Sequence, residues 1–223
     1  MIILKKENSN KLLSKEEILK VLDILENEYK DAKCGLDYDT PLQLTVSLIL
    51  AAQCTDKRVN MIRPILFNKY PDVYSLANAD KKELEKIIHS CGFYNNKAKN
   101  IIETANIIVN NYNGRVPNTM KNLTTLAGIG RKSANIILQE CFDITEGIAV
   151  DTHVGRITKK LGLTNNSDPV KIEKDLMKSL PQKYWNKINH ILVCHGRAIC
   201  DAKKPKCSEC MVKDICRENN KAR

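Results

Sequence analysis

The sequence predicts an all-α protein. Nearly every segment places apolar residues three or four positions apart, the spacing of one helix face, and almost none alternates as a half-buried strand does. Residues that favour helix starts, and glycines that favour helix ends, fall at the edges of these segments. With 223 residues, the chain is long enough for one large domain or two small ones.

The first predicted helices begin at capping patterns. Ser14 followed by Glu17 has the spacing of a capping box, and a second box with proline at the first helical position spans residues 40–43. The helix that follows, from 42 to about 53, is apolar nearly all round and is predicted to be the central buried helix of a domain. Pro64 lies inside the next periodic segment, 59–70, so we expect a kink or a new start there.

Two further helices complete the first half of the chain. Asp80 and Glu83 open a short helix that Gly92 is expected to end, because glycine readily adopts the backbone of a helix C-cap. A longer helix is predicted from 96 to 112, where an Asn-Gly pair breaks the pattern.

Composition and charge limit the classes of function. Thirty-six Lys and Arg against 26 Asp and Glu give a net charge of +10 and a pI near 9.1, which favours a polyanionic partner such as nucleic acid, although many lysine-rich surfaces are merely solvated. Aromatic residues make up only 5%, which argues against a single-strand binder built on stacked rings.

The apolar run in residues 1–6 is too short for a signal peptide, and no stretch can span a bilayer. We therefore expect a cytoplasmic, nucleoid-associated protein without membrane contact.

Two glycines around one aliphatic residue predict a tight turn before a helix, in the segment 126–138 (L-A-G-I-G-R-K-S-A-N-I-I-L). Gly128 and Gly130 would let a phosphate backbone approach, and the N–H groups at the start of the helix suit a phosphate. Ile129 is expected to anchor the turn in the core, with Arg131 adding charge at its rim. Helix-helix turns with glycine are also common for structural reasons alone.

Lys132 is predicted to lie on the exposed face of the helix that follows the turn. The core face is defined by Ala134, Ile137, Leu138 and Cys141. Lys132 is about 160° from Ala134, next to Ile136 one turn later. A single exposed lysine is usually only a solvated charge. Positive potential from Arg131 and the helix N-terminus nevertheless favours a neutral, nucleophilic amine, and lysine suits Schiff-base chemistry.

A second polar segment, V-D-T-H-V-G-R at 150–156, opens another helix. Asp151 stands at the N-cap position, so a capping role is the simplest reading of it, and this role does not exclude a catalytic one. His153 by itself is more typical of packing or hydrogen bonding than of catalysis. Arg156 contributes to a basic helix face.

Four of the nine cysteines form the pattern C-x6-C-x2-C-x5-C, at Cys200, Cys207, Cys210 and Cys216. Four thiolates within 17 residues can saturate a metal site, and a reducing compartment argues against disulfides. The spacing does not decide between a structural zinc ion and an iron-sulfur cluster. Lys203 and Lys204 lie among these cysteines.

Taken together, the motifs resemble the endonuclease III family of iron-sulfur, helix-hairpin-helix DNA glycosylases, which also cleave abasic sites. L-A-G-I-G-R-K, V-D-T-H, the cysteine pattern and H-G-R at 195–197 carry the resemblance, which extends from about residue 20 to 217. It implies an all-α, two-domain helix-hairpin-helix DNA glycosylase fold. A six-helix domain would span 35–144, and a discontinuous iron-sulfur cluster domain would combine 1–34 with 145–223, with the active site in the cleft between them.

The resemblance also implies residue roles. Lys132 matches the family's Schiff-base lysine, Asp151 its essential aspartate, and the four cysteines the ligands of a [4Fe-4S] cluster, with zinc as the weaker alternative. Gln53 matches the glutamine that fills the gap left by an extruded base. Phe93 stands where the family commonly carries a leucine wedge, and a ring there is also compatible with core packing. The remaining expected DNA contacts are Gly128, Gly130, Arg131, His153, Arg156, Lys203 and Lys204.

The implied function is excision of oxidised pyrimidines from double-stranded DNA that contains damaged bases or abasic sites, followed by β-elimination 3′ to the site, by a monomeric enzyme. Two alternatives stay open: an adenine-mismatch glycosylase of the same superfamily, and a DNA-binding module without catalysis. The first normally lacks a lysine at this position and carries an extra C-terminal domain. The presence of both Lys132 and Asp151 argues against the second.

Overall fold

The structure is a computed structural model that describes residues 11–221. Within that range it contains twelve α-helices and no β-strand, which confirms the predicted all-α class. No helix in the described range is long and apolar enough to cross a membrane. The apolar run in residues 1–6, whose length was the argument against a signal peptide, lies outside the described residues.

The chain divides into two compact units. One unit combines the residues up to Lys33 with those from Gly147 onward, and the other is Cys34–Glu146. We call them the discontinuous unit and the central unit. The domain assignment, a six-helix domain at 35–144 and a cluster domain at 1–34 and 145–223, stays a prediction.

The central unit contains seven helices. Their bounds are α2 (Pro41–Ala51), α3 (Asp56–Lys69), α4 (Val73–Ala77), α5 (Lys81–Ile88), α6 (Tyr94–Tyr112), α7 (Met120–Leu123) and α8 (Arg131–Phe142). Helix α2 is buried over the seven consecutive residues 44–50, as its all-round apolar sequence predicts, and it packs against α3, α6 and α8. Helix α3 runs through Pro64 without interruption.

The described part of the discontinuous unit, residues 11–33 and 147–221, contains five helices. They are α1 (Lys15–Glu28), α9 (Thr152–Leu161), α10 (Pro169–Ser179), α11 (Ile188–Ala198) and α12 (Arg217–Lys221). Helix α1 begins at the predicted capping box of Ser14 and Glu17 and supplies Val21 and Leu25 to the core. The hydroxyl of the fully buried Tyr184 donates to Asp23 Oδ1 at 2.7 Å. The N-terminal helix therefore belongs to a core built mainly from the last third of the chain.

Candidate active site and cysteine cavity

The glycine turn between α7 and α8 has the predicted form. Gly128 has a φ of +80°, which favours glycine, and Ile129 is only 4% exposed, so it anchors the turn in the core as expected. The hydroxyl of Thr104, in α6, donates a hydrogen bond to Ala127 O at 2.9 Å and so attaches the turn to this helix. Gly130 is the N-cap of α8 and offers no side chain to its N–H groups. The start of α8 therefore presents backbone donors beside a turn that leaves room for an anion.

Lys132 is exposed, in the first turn of α8. Ala134, Ile137 and Leu138 are fully buried, which confirms the predicted core face at these three positions. Its fourth predicted member, Cys141, is only half-buried. Ile136 is only 5% exposed, however, so the expectation that it shares the exposed face of Lys132 is wrong. The helix is buried over the whole run 134–138, which is wider than a single apolar stripe.

Gln53 and Phe93 lie on two loops of the central unit and share an unusual backbone. Gln53 has a φ of +53° and Phe93 a φ of +47°, in the left-handed region that residues other than glycine rarely adopt. Both side chains are exposed, and Phe93 has 64% of its surface accessible. The alternative reading of Phe93 as a core residue is therefore wrong, and its ring is available to a ligand.

Asp151 caps α9, as its position in the sequence predicts. Its Oδ1 accepts a hydrogen bond from the backbone N–H of Val154 at 2.8 Å. The side chain is half-buried, and the described residues place no hydrogen bond on Oδ2. One carboxylate oxygen is thus committed to the helix, while the other stays available for chemistry.

His153 and Arg156 contact each other and the helix that carries H-G-R. Arg156 Nη2 lies 3.3 Å from His153 Nδ1 and donates to Cys200 O at 2.8 Å. A Cβ atom on Gly196 would come within 2.4 Å of His153 Nδ1, so this glycine is required by close packing. Burial lowers the pKa of His153, opposed by the charge of Asp151. Arg156 therefore braces the start of the cysteine-rich segment in addition to any contact with DNA.

The four clustered cysteines all line one small cavity of about 30 Å³. Its wall also includes Ile157, Lys160, Leu161, His195 and Lys213. In the described range, no three His, Cys, Asp or Glu side chains are close enough to hold a single metal ion. The geometry thus brings the four predicted ligands to a common space without converging three of them on one point.

Buried His195 connects this cavity to the N-terminal helix. It is 1% exposed, with Nδ1 3.1 Å from the hydroxyl of Tyr29 and Nε2 3.8 Å from Cys210 Sγ. Burial lowers its pKa to about 4, so the ring is neutral near pH 7. A neutral imidazole has one N–H, which either donates to this sulfur or to the tyrosine oxygen.

Lys203 and Lys204 are exposed at the rim of the cysteine-rich segment. Their backbone N–H groups donate to Asp201 Oδ1 at 2.8 and 2.9 Å, and these bonds lower the pKa of the Asp201 carboxyl. Lys203 and Lys204 therefore belong to a loop whose backbone is held by the Asp201 carboxylate.

Sequence reasoning missed Arg217, which directly follows the last cluster cysteine. Its side chain is 9% exposed, and its guanidinium donates to Asn165 Oδ1 at 2.6 Å and to Lys159 O at 2.5 Å. These partners lie more than 50 positions away in the sequence. No local pattern could therefore have revealed that Arg217 links the C-terminal segment to the residues around α9.

Comparison with known proteins places the chain in a family. Residues 46–182 match the HhH-GPD superfamily of base excision DNA repair proteins. The chain is 48% identical to endonuclease III of Synechocystis sp. over 91% of this chain and 92% of the relative. It is 38% identical to endonuclease III of Bacillus subtilis, over 94% and 96% respectively. A solved structure of a non-covalent endonuclease III–DNA complex superposes with a TM-score of 0.90 at 37% identity, covering 95% of this chain and 99% of that one.

The protein is therefore an HhH-GPD superfamily DNA glycosylase, an enzyme of base excision DNA repair. Within that superfamily, the chain belongs to the endonuclease III family. The family is known for a [4Fe-4S] cluster. Membership also favours this assignment over the adenine-mismatch alternative, since the relatives named above are endonuclease III.

Proposed function

We propose that the protein is a bifunctional glycosylase and abasic-site lyase, which excises oxidised pyrimidines and then cleaves the strand through a Schiff base on Lys132. The observation that carries the proposal is the exposed amine in the first turn of α8, directly after a glycine turn suited to a phosphate. A related solved structure, of a trapped endonuclease III–DNA covalent intermediate, has a TM-score of 0.90 at 37% identity. Covalent chemistry with DNA is thus documented for that relative.

Recognition of duplex DNA follows from the charge and the two exposed loops. The turn at Gly128 and Gly130, with Arg131 beside it, would bind a phosphate through backbone N–H groups, and the net charge of +10 would strengthen non-specific attraction. His153, Arg156, Lys203 and Lys204 are the proposed phosphate contacts of the discontinuous unit. Gln53 and Phe93 would enter the base stack when the damaged nucleotide rotates out.

The chemistry needs an amine nucleophile and a carboxylate. The Lys132 amine attacks C1′ of the extruded nucleotide, and the bond between C1′ and the base breaks as the base takes up a proton. The nitrogen lone pair of the resulting secondary amine then forms the C=N bond as the C1′–O4′ bond breaks and O4′ takes up a proton. The protonated imine that results acidifies the hydrogens at C2′. Loss of one of these protons expels the 3′ phosphate and cuts the strand.

Asp151 would stabilise the positive charge that develops on the sugar, or accept the proton that leaves the lysine. The N-cap hydrogen bond to Oδ1 fixes the carboxylate in place. Oδ2, which accepts no hydrogen bond from the described residues, would carry out the catalytic role. Capping and catalysis are thereby compatible in one side chain.

We propose that Cys200, Cys207, Cys210 and Cys216 hold the family's [4Fe-4S] cluster. The donor set fits, because all four cysteines line one cavity and a cluster distributes its cysteines over separate irons. Lys160 and Lys213, on the same wall, would offset the negative charge of a thiolate-bound cluster. The cluster would serve as a structural centre that holds the lysine-bearing loop. Purified protein is expected to contain iron and acid-labile sulfide in equal amounts, and zinc without sulfide would contradict this.

Single-turnover assays test the proposed activity on duplexes that carry either an abasic site or one oxidised pyrimidine. Lys132→Gln should lower strand cleavage roughly a thousandfold, and Asp151→Asn roughly a hundredfold or more. Lys86→Gln is the matched control, since it removes an exposed lysine of α5. Cleavage at the normal rate by Lys132→Gln would refute the lyase mechanism. We also propose that the active species is a monomer, to be checked by sedimentation with and without DNA.

A further inference from the structure

Lys97, in the first turn of α6, is a buried lysine that the mechanism above does not use. Only 4% of its surface is exposed. Its Nζ donates to Leu50 O at 2.9 Å and to Cys91 O at 2.8 Å, both of them backbone carbonyls. Burial lowers its pKa, opposed only by the nearby thiols of Cys54 and Cys91. A buried ammonium without a carboxylate partner is costly, so its position calls for an explanation.

The two carbonyls lie directly before the two loops that carry Gln53 and Phe93. Leu50 lies near the end of α2, where the last carbonyls have no donor within the helix, and Gln53 follows three residues later. Cys91 ends a 3-10 turn, and Phe93 is the second residue after it. The ammonium group of Lys97 therefore links the backbone segment that precedes Gln53 to the one that precedes Phe93.

The backbone of Lys97 also contacts the Phe93 segment. Its backbone N–H donates to Phe93 O at 3.1 Å. The short segment of Gly92 and Phe93, which has positive φ at both residues, thus lies between a hydrogen bond to the Lys97 side chain and one to its backbone. Left-handed backbone at a residue other than glycine persists only where its surroundings enforce it.

We infer that Lys97 is a positioning residue, which locks the loops of Gln53 and Phe93 into the shape needed to enter the base stack of duplex DNA. This inference rests on the insertion role proposed above for those two side chains. Lys97 touches neither substrate nor reacting atoms, and acts by setting where two side chains project. A preformed pair of loops avoids paying for their ordering when DNA binds.

The test compares single-turnover cleavage of an abasic site in double-stranded and in single-stranded DNA. Insertion matters only where there is a stack to fill, so the ratio of the two rates isolates it from general loss of activity. Lys97→Met keeps the aliphatic stem and removes both side-chain bonds, and it should lower this ratio roughly 10- to 100-fold. Lys99→Met, which removes an exposed lysine from the same helix, should leave the ratio unchanged.

Phe93→Ala separates this inference from the proposal on which it rests. Phe93→Ala should lower the ratio, and the double variant with Lys97→Met should lose less than the product of the two single effects, because both act on one event. If Phe93→Ala leaves the ratio unchanged, the insertion role itself fails. If Phe93→Ala lowers it and Lys97→Met does not, only the positioning role of Lys97 is overturned.

Loss of stability is measured separately, since Lys97→Met leaves two buried carbonyls without their donor. Each variant is assayed well below its own thermal unfolding midpoint. Lys97→Gln, whose shorter amide cannot reach both carbonyls, serves as a second variant and should lower the ratio in the same direction. A lower midpoint with an unchanged ratio in both variants would show a purely structural lysine and would contradict the inference.

Discussion

At the scale of single residues, Asp151 shows how one side chain combines two tasks. Its Oδ1 is bound to the N–H of Val154, an interaction that stabilises a helix start by about 1 kcal/mol. The same bond fixes the direction of the carboxylate, which a catalytic group needs. This is why the capping role found in the structure supports the proposed chemistry instead of competing with it.

Gly196 gives a prediction at the same scale. Gly196→Ala should destabilise the protein by about 1–3 kcal/mol, because the new Cβ would lie 2.4 Å from His153 Nδ1 and 3.0 Å from Ile157 Cδ1. Gly155→Ala is the matched control in α9, where the new Cβ meets only Ile172 Cδ1 at 3.5 Å. That change should be neutral or stabilising. Thermal unfolding measures both, and equal effects would contradict the packing described for His153.

Residue roles differ in how far the sequence predicts them. The exposed position of Lys132 and the cap at Asp151 follow from local helix periodicity and local hydrogen bonds, and both are observed. The burial of Lys97, and the bonds from Arg217 to Asn165 and Lys159, depend on segments far away in the chain. Such roles have no local signal, because nothing near a lysine or arginine in the sequence shows where its head group will find an acceptor.

At the scale of elements, the sequence predicted where helices begin better than it predicted how much of each helix surface is buried. Thr40 accepts from the N–H of Gln43 as expected, but Gln43 Oε1 accepts from Asp39 N–H at 2.8 Å, one residue before the cap. Arg63 Nε also donates to this oxygen, at 3.1 Å, which explains the altered geometry. Likewise, the width of the buried face of α8 depends on the helices packed around it, which periodicity alone does not specify.

The glycine turn before α8 gives the prediction that separates stability from binding. Gly130 has a φ of −92°, and a Cβ there would meet no atom within 4 Å, so Gly130→Ala should leave the unfolding midpoint unchanged. Its methyl group would nevertheless stand where the phosphate is proposed to approach. We expect roughly tenfold weaker binding to an abasic-site duplex, equivalent to the loss of one charge-assisted hydrogen bond.

Gly128→Ala is the comparison for this turn. There the φ of +80° and a Cβ distance of 2.9 Å to Asn100 Nδ2 would strain the folded state, so stability and binding should both fall. Titrations at one fixed salt concentration, together with thermal unfolding, distinguish the two patterns. Unchanged binding by Gly130→Ala would refute a phosphate contact at this turn.

At the scale of the whole molecule, segments that are far apart in the sequence share one hydrophobic core. Helix α1 packs into the same hydrophobic core as residues after 147, and Lys187 pairs with Glu26. Periodicity predicts that α1 is amphipathic, but it does not say which partner covers its apolar face. That assignment came from the family resemblance, since contacts across more than 100 residues leave no trace in a local pattern.

Leu25 tests this arrangement, because it is fully buried in the core against which Cys200, Cys210 and Cys216 pack. Leu25→Ala should cost about 2–5 kcal/mol of unfolding free energy, and the iron of the proposed cluster should be released at a lower temperature than in the parent protein. Leu12→Ala, at a side chain that is 46% exposed, should change stability by no more than about 0.5 kcal/mol. Iron release that is unaffected by Leu25→Ala would contradict a shared core.

The identity of the nucleophile is most directly tested by reductive trapping. Borohydride added during reaction with an abasic-site duplex should reduce the imine and leave a stable protein–DNA adduct, and digestion followed by mass spectrometry should place the adduct on Lys132. Lys132→Ala should give no adduct while it still binds the duplex. An adduct on another amine, or normal trapping by Lys132→Ala, would contradict the mechanism proposed for this enzyme.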